Sequence, residues 1–119
     1  MTIGELSRRT GVPVKALRTY TDWGLIHSPG RSAGNYRLYD ADALSCVRMI
    51  CELRGLGLTL AEIRELLGGD CARGGRAALG PLLVERLRAA RARTEDRIAE
   101  LERTRDRINA FEAAQRSDA

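Results

Sequence analysis

Arg18, Arg31 and Arg37 are interleaved with Tyr20, Trp23, Tyr36 and Tyr39 in the first third of the chain. A guanidinium offers paired donors that match phosphate oxygens two at a time, and a tyrosine hydroxyl adds a neutral donor. The chemistry open to such a set is the grip of a polyanionic backbone. For any single arginine the plainer reading is a solvated surface charge. The distribution favours the group reading. Residues 1–39 carry six basic side chains (Arg8, Arg9, Lys15, Arg18, Arg31, Arg37) against Glu5 and Asp22, an excess equal to the whole formal net charge of +4. The rest of the chain is balanced, so the positive field sits where the aromatics are, the footprint of a nucleic-acid-binding surface.

Other chemistries have little raw material. His27 is the only histidine, so imidazole-dependent catalysis and clusters of imidazole ligands are not expected. Cys46, Cys51 and Cys71 are odd in number and lack a CxxC spacing, which argues against a disulfide framework and a zinc module and for reduced thiols. The chain is therefore read as a non-enzyme with no catalytic residues, no cofactor and no metal site. Cys71 is the candidate sensor thiol. Glycines on either side should leave it accessible, while Asp70 would raise its pKa and Arg73 would lower it. No apolar run approaches the roughly 20 residues of a membrane span, and the first residues read as a helix and not as a signal peptide. A cytoplasmic protein without a membrane partner is the expectation.

The elements that must carry the basic residues can be read from caps and breakers. Thr2 and Glu5 have capping-box spacing, and Gly11 stops the helix they start. Pro13 opens a second helix with Val14, Leu17 and Tyr20 or Thr21 on one side, ended by Gly24. Two such helices joined by a tight turn make a helix-turn-helix, whose second member enters a major groove; plain core packing is the competing reading of the same pattern. Leu25-Ile26 and Tyr36 to Tyr39 read as short strands flanking the turn-forming stretch Pro29 to Asn35, a two-stranded wing. Asp40 caps a third helix to about Arg54, with Ala43, Val47, Ile50 and Cys51 as its inward stripe. Cys46 and Cys51 are read as small side chains of that helix, not as ligands. Thr59 and Glu62 form a second capping box, followed by Ile63, Leu66 and Leu67.

Residues 71–80 are the glycine-rich linker between a head, residues 1–70, and an uninterrupted helical stretch, residues 81–112, with a polar tail over 113–119. About 32 residues at about 1.5 Å each give a rod of about 48 Å, too long to be buried by a small head. Leu87, Thr94, Leu101 and Ile108 recur every seventh residue, and Leu83, Ala90 and Phe111 fall on the companion positions with Ile98 beside them. This imperfect heptad seam needs cover. A second copy in antiparallel orientation is the economical choice, since a homodimer also places two heads on one duplex.

The run Ile3-Gly4-Glu5-Leu6-Ser7 to Thr10-Gly11-Val12, then Leu17-Arg18 to Tyr20, Gly24-Leu25, Pro29 to Arg31 and Asn35-Tyr36-Arg37-Leu38-Tyr39 resembles the MerR family of transcriptional regulators. Leu53-Arg54 to Gly57 and Leu60 to Ile63 with Leu66-Leu67 continue the likeness across the chain. The resemblance implies a mainly α fold: a winged helix-turn-helix DNA-binding domain followed by a long C-terminal dimerisation helix that forms an antiparallel coiled coil. It implies a homodimer on a pseudo-palindromic stretch of double-stranded promoter DNA, which it bends and untwists so that RNA polymerase is served indirectly. Carried over position by position, Lys15, Arg18 and Tyr20 would meet the major groove and its phosphates, and Arg31, Tyr36, Arg37 and Arg54 would hold the backbone. Core packing is the other reading of Tyr20 and Tyr39.

Ala16, Thr19, Thr21 and Trp23 depart from the usual second helix, so base preference does not carry over. The paired cysteine positions of metal-responding members are also missing, which leaves a small-molecule effector unidentified. Two rival readings stay open: a coiled-coil interaction protein or nonspecific nucleic-acid binder, and a thiol- or aldehyde-responsive regulator acting through Cys71.

Overall fold

The computed structural model describes residues 1–67 and 80–118. Helix α1 (Ile3–Thr10) starts at Thr2, whose hydroxyl accepts the Glu5 amide at 3.3 Å, and stops at Gly11 with φ 76°. Glycine takes that left-handed conformation without a Cβ clash, so the chain reverses there. Helix α2 (Val14–Asp22) follows Pro13 and ends at a second left-handed glycine, Gly24. Leu6 on α1 and Leu17 on α2 are fully buried against each other's side of the core.

Leu25-Ile26, expected as a strand, is not one. After Gly24 the chain folds back, and the amides of Leu25 and Ile26 donate to the Tyr20 carbonyl at 2.9 and 3.4 Å. These bonds satisfy an orphan acceptor at the end of α2 and push both side chains into the core. The wing is instead β1 (Gly30–Arg31) and β2 (Arg37–Leu38), antiparallel, with Gly30 opposite Leu38 and Arg31 opposite Arg37. A two-residue ladder is marginal alone, so it is tied at its base: Thr2 bridges Leu38, and the Tyr39 amide donates to the Met1 carbonyl at 2.6 Å.

Helix α3 (Ala41–Gly55) is capped by the Asp40 carboxylate, which accepts the Ala43 amide at 3.0 Å. Its buried stripe is Ala43, Cys46, Val47, Ile50 and Leu53, so Cys46 points inward and Cys51, placed on the stripe from sequence, is exposed. Cys46 lines a small hollow with Ile26 and Pro29 beside the loop that follows α2. Cys46 is also disulfide-bonded, against the expectation of reduced thiols. An odd cysteine count excludes complete pairing but not a single bridge. Helix α4 (Leu60–Leu67) begins with the reciprocal box: the Thr59 amide donates to Glu62 Oε1 at 2.9 Å and the Glu62 amide to Thr59 Oγ1 at 3.1 Å. Ile63, Leu66 and Leu67 are its buried face.

Helix α5 (Gly80–Ser117) has 38 residues, about 57 Å of helix, and extends to Ser117, into the positions expected as a polar tail. Its first turns do not stand free. Ala90 is 4% exposed and joins the head's core, and Leu82, Leu83 and Leu87 pack against that core as half-buried side chains. Leu83, Leu87 and Ala90, read from sequence as seam residues, are thus engaged by the chain's own core, beside the α4–α5 ion pairs Glu65–Arg86 and Glu62–Arg93. Beyond Ala90 every described residue of α5 is exposed.

Candidate nucleic-acid interface

The N-terminus of α1, the outer face of α2 and the wing enclose an open concavity of about 600 Å³. Arg18, Arg31, Tyr36 and Arg37 all line it, so four of the seven residues expected to meet DNA come together on one surface. Arg18 is exposed on α2, while Arg31 and Arg37 face each other across the two-stranded ladder. Three guanidiniums around one hollow give it a positive field of the kind that attracts polyanions.

The wing's shape follows from its turn. Asn35 adopts φ 64°, a conformation asparagine tolerates better than most residues, and the Asn35 and Ser32 amides donate to Ser32 and Tyr36 carbonyls at 2.9 and 2.8 Å. Ser32 Oγ accepts the Tyr36 amide at 3.2 Å, and Arg31 donates to the Asn35 carbonyl at 3.1 Å. Tyr36 is left 71% exposed, its ring close over Gly34 where a Cβ would come within 3.1 Å of it. A large apolar ring with a polar tip, standing in solvent at the rim of a basic hollow, is suited to lie along a sugar-phosphate chain.

Tyr39 takes the opposite role. It is 2% exposed, and its hydroxyl shares a 2.9 Å hydrogen bond with Thr21, which also donates to the Leu17 carbonyl at 2.8 Å. This contact fastens the wing's base to α2, so that Arg18 and the wing arginines hold a common frame. Tyr20 is buried too. Burial pushes its phenol above the ordinary value, Cys51 adds to the rise and Arg54 opposes it. Its place is in the core beneath α2, not at the surface of the concavity.

Lys15 and Arg54 lie outside the hollow. Lys15 is exposed on the first turn of α2, three residues before Arg18 and therefore on the same helical face. Arg54, at the end of α3, donates to the Leu58 carbonyl at 3.2 Å across the α3–α4 turn. Cys71, the candidate sensor, lies outside the described residues.

Two contributors escaped the sequence reading. Asp22 lines the hollow and sits 4.0 Å from Arg37, with both side chains largely solvated. A pair in water is weak, so Asp22 can orient Arg37 without holding it against a stronger anion. The α1 N-terminus also opens here through Ile3 and Gly4. Their amides precede the first turn's bond from the Leu6 amide to the Thr2 carbonyl at 3.0 Å, and unbonded donors at a helix start favour phosphate. The signal for Asp22 is absent from local spacing, since Arg37 meets it only after the wing folds. That for α1 was present in its Thr2 cap.

Two family models match the chain: the MerR HTH family regulatory protein over residues 1–70 and MerR, DNA binding, over residues 44–111. The nodulation protein NolA of Bradyrhizobium sp. (strain NC92) is 38% identical over 106 residues, covering 89% of this chain and 40% of that protein. The HTH-type transcriptional regulator HmrR of Rhizobium leguminosarum bv. viciae is 45% identical over 67 residues, covering 56% of this chain and 51% of that protein. The chain thus spans about half, or less, of the curated relatives it matches. Among solved structures, the transcription regulator PbrR691 from Ralstonia metallidurans CH34, in complex with lead(II), matches with a TM-score of 0.63 at 33% identity, covering 89% of this chain and 84% of that one. On these matches, which together cover residues 1–111, the chain belongs to the MerR family of helix-turn-helix regulatory proteins.

Proposed function

We propose that the protein is a homodimeric transcriptional regulator that binds a pseudo-palindromic promoter operator sequence-specifically and bends and untwists it, acting on RNA polymerase indirectly. The observation that carries this reading is the concavity in which Arg18, Arg31, Tyr36 and Arg37 converge beside the exposed face of α2. Lys15 and Arg18 meet the major groove, the wing residues hold one backbone strand, and Arg54 contacts phosphate from the end of α3. Tyr20 supports α2 from below. Ile98, Leu101, Ile108 and Phe111, at least half exposed on α5, with Thr94, supply the dimer seam. No helix among the described residues is long and apolar enough to cross a membrane, which agrees with a cytoplasmic site of action.

The test is a duplex selected by the full chain from random DNA, compared with its scrambled counterpart by fluorescence anisotropy over a salt series. A preference of about 1,000-fold or more is expected at physiological salt. Equal affinity with identical steep salt slopes would replace this reading by a nonspecific backbone grip.

A second reading, thiol-responsive control, is favoured by one observation: Cys46 is disulfide-bonded on the core face of α3. Operator affinity measured with and without a dithiol reductant tests it. An unchanged affinity sinks control through this disulfide.

A further inference from the structure

Helix α4 is short, yet it is held from two sides by charged contacts that the DNA-binding reading does not use. Toward α5, Glu65 pairs with Arg86, and Glu62 pairs with Arg93 at 3.0 Å. The pairing order is antiparallel. Arg86 and Arg93 are two helical turns apart on one face of α5, and Ala90, nearly fully buried, lies between them. A small side chain there lets the two helices approach closely while the guanidiniums reach over on either side. Arg93 does more than pair. The nitrogen that meets Glu62 also donates to the Gly57 carbonyl at 3.0 Å, and the same Glu62 Oε1 closes the capping box with Thr59. One arginine of α5 is therefore anchored to the start of α4 and to the turn that brings α3 into it.

Toward α2 the contact is different in kind. The guanidinium of Arg64 lies 5.2 Å from the centre of the Trp23 ring, within the range of a cation–π attraction. Trp23 follows the last residue of α2 and donates its amide to the Thr19 carbonyl at 2.9 Å. Arg64 stands between Glu62 and Glu65 in sequence, so α4 presents acids to α5 and a cation to the end of α2.

We infer that α4 is a strut that fixes the angle between α2 and α5, with Arg86, Arg93 and Arg64 as positioning residues. In the homodimer proposed above, on which this inference rests, that angle sets how far apart and at what relative twist the two heads meet the duplex. The residues touch no DNA. Their effect is on which half-site spacing the dimer accepts, not on how tightly one head binds one half-site.

The experiment uses the full chain and a palindromic duplex that it selects from random DNA, rebuilt with one or two base pairs inserted or deleted at the centre. Wild-type protein should prefer one spacing. Arg86→Met and Arg93→Met, which keep the apolar stems and remove the charge, should flatten that preference by about fivefold or more, the lower end of ordinary coupling between sites. Affinity for an isolated half-site should stay unchanged. Arg86→Glu combined with Glu65→Arg, which re-forms the ion pair with its ends exchanged, should restore the preference. Trp23, the only tryptophan in the chain, gives an independent readout. Arg64→Met should change its emission, and the same variant should flatten the spacing profile. A dimer whose spacing profile is the same in Arg86→Met, Arg93→Met and wild type overturns the strut and leaves the dimer reading standing. A chain that sediments as a monomer, alone and on the duplex, overturns the dimer reading and the strut with it.

Discussion

The head and the distal half of α5 are both helical and both carry apolar residues, yet they dispose of them in opposite ways. In the head, Leu6, Leu17, Leu25, Ile26, Val47, Ile50, Leu58 and Ile63 are all below 2% exposed, gathered by four short helices around one centre. On α5 beyond Ala90, Ile98, Leu101, Ile108 and Phe111 range from 50 to 68% exposed on a stretch whose every described residue is exposed, although Arg93 at its start reaches back to Glu62. The difference lies in geometry more than in composition. Short amphipathic helices linked by left-handed glycines can fold onto one another, whereas a straight rod of about 57 Å presents its stripe in a line that no small head can cover. The head buries its apolar residues within one chain, whereas the rod leaves its own in solvent, the face that the proposed dimer would cover.

Leu101→Asp breaks the comparison most severely. In the proposed dimer seam a carboxylate at this position has no partner charge, so the variant is expected to sediment as a monomer while the circular dichroism of the head persists. Operator affinity should fall by about 100-fold or more, because two linked heads lose the advantage of binding as one body. A Leu101→Asp protein that remains a dimer would place the seam elsewhere on α5.

Leu17→Ala probes the other side. Removing a fully buried side chain costs the lost transfer energy and the cavity it leaves, about 2–5 kcal/mol, measurable as a lower urea midpoint. The same change at Ile98 should leave the urea midpoint of a dilute monomeric sample almost unaltered. Equal losses at the two positions would erase the distinction drawn between them.

Much of the head was legible because its punctuation is chemical and local. Thr2, Asp40 and the Thr59–Glu62 pair each cap the helix they precede, and Gly11 and Gly24 each take the left-handed turn that ends one. The wing was legible as a turn but not as strands. Its ladder is two residues long, and Leu25-Ile26, the more strand-like pair, is claimed by the open end of α2. Arg18, Arg31, Tyr36 and Arg37 could be chosen by type, whereas Tyr20 could not be placed, since a tyrosine on a helix flank serves core and surface equally well. On α5 the heptad pattern is continuous across Leu83 to Phe111 and gives no sign of where the head stops covering it. That limit is set by where Arg86 and Arg93 find Glu65 and Glu62 on α4, long-range pairs with no local spacing to announce them.

Within the head's surface the effects should be smaller and should divide by role. Arg18→Ala is expected to cost about 1–3 kcal/mol at the selected operator and to relax its sequence preference, because the proposed docking sets α2 against the bases. Arg37→Ala should weaken selected and scrambled duplexes alike and reduce the salt slope by about one, as the loss of a phosphate contact does. Anisotropy titrations of both variants against both duplexes separate the two signatures. If Arg18→Ala lowers the two affinities equally, α2 is a backbone contact and the specificity must come from elsewhere on the head.

The smallest expected effect falls at the junction where the two regions meet. Glu62 has its pKa lowered from the ordinary 4.5, chiefly by the hydrogen bond from the Thr59 amide, with the Thr59 hydroxyl and Arg93 acting in the same direction and burial opposing them. A carboxyl that is more acidic in the folded protein than in the unfolded chain stabilises the fold once pH is above its unfolded value. That contribution disappears as pH falls through 4.5 toward the lower folded value. Glu62→Gln retains a side chain able to cap α4 but carries no charge to titrate. The urea midpoint of the wild-type protein should therefore exceed that of Glu62→Gln near neutral pH, and the gap should close as the solution is acidified below 4.5. A gap that stays constant through this range would mean that the carboxylate's charge contributes nothing where α4 meets α5, and that the junction is held by Ala90 and its apolar neighbours alone.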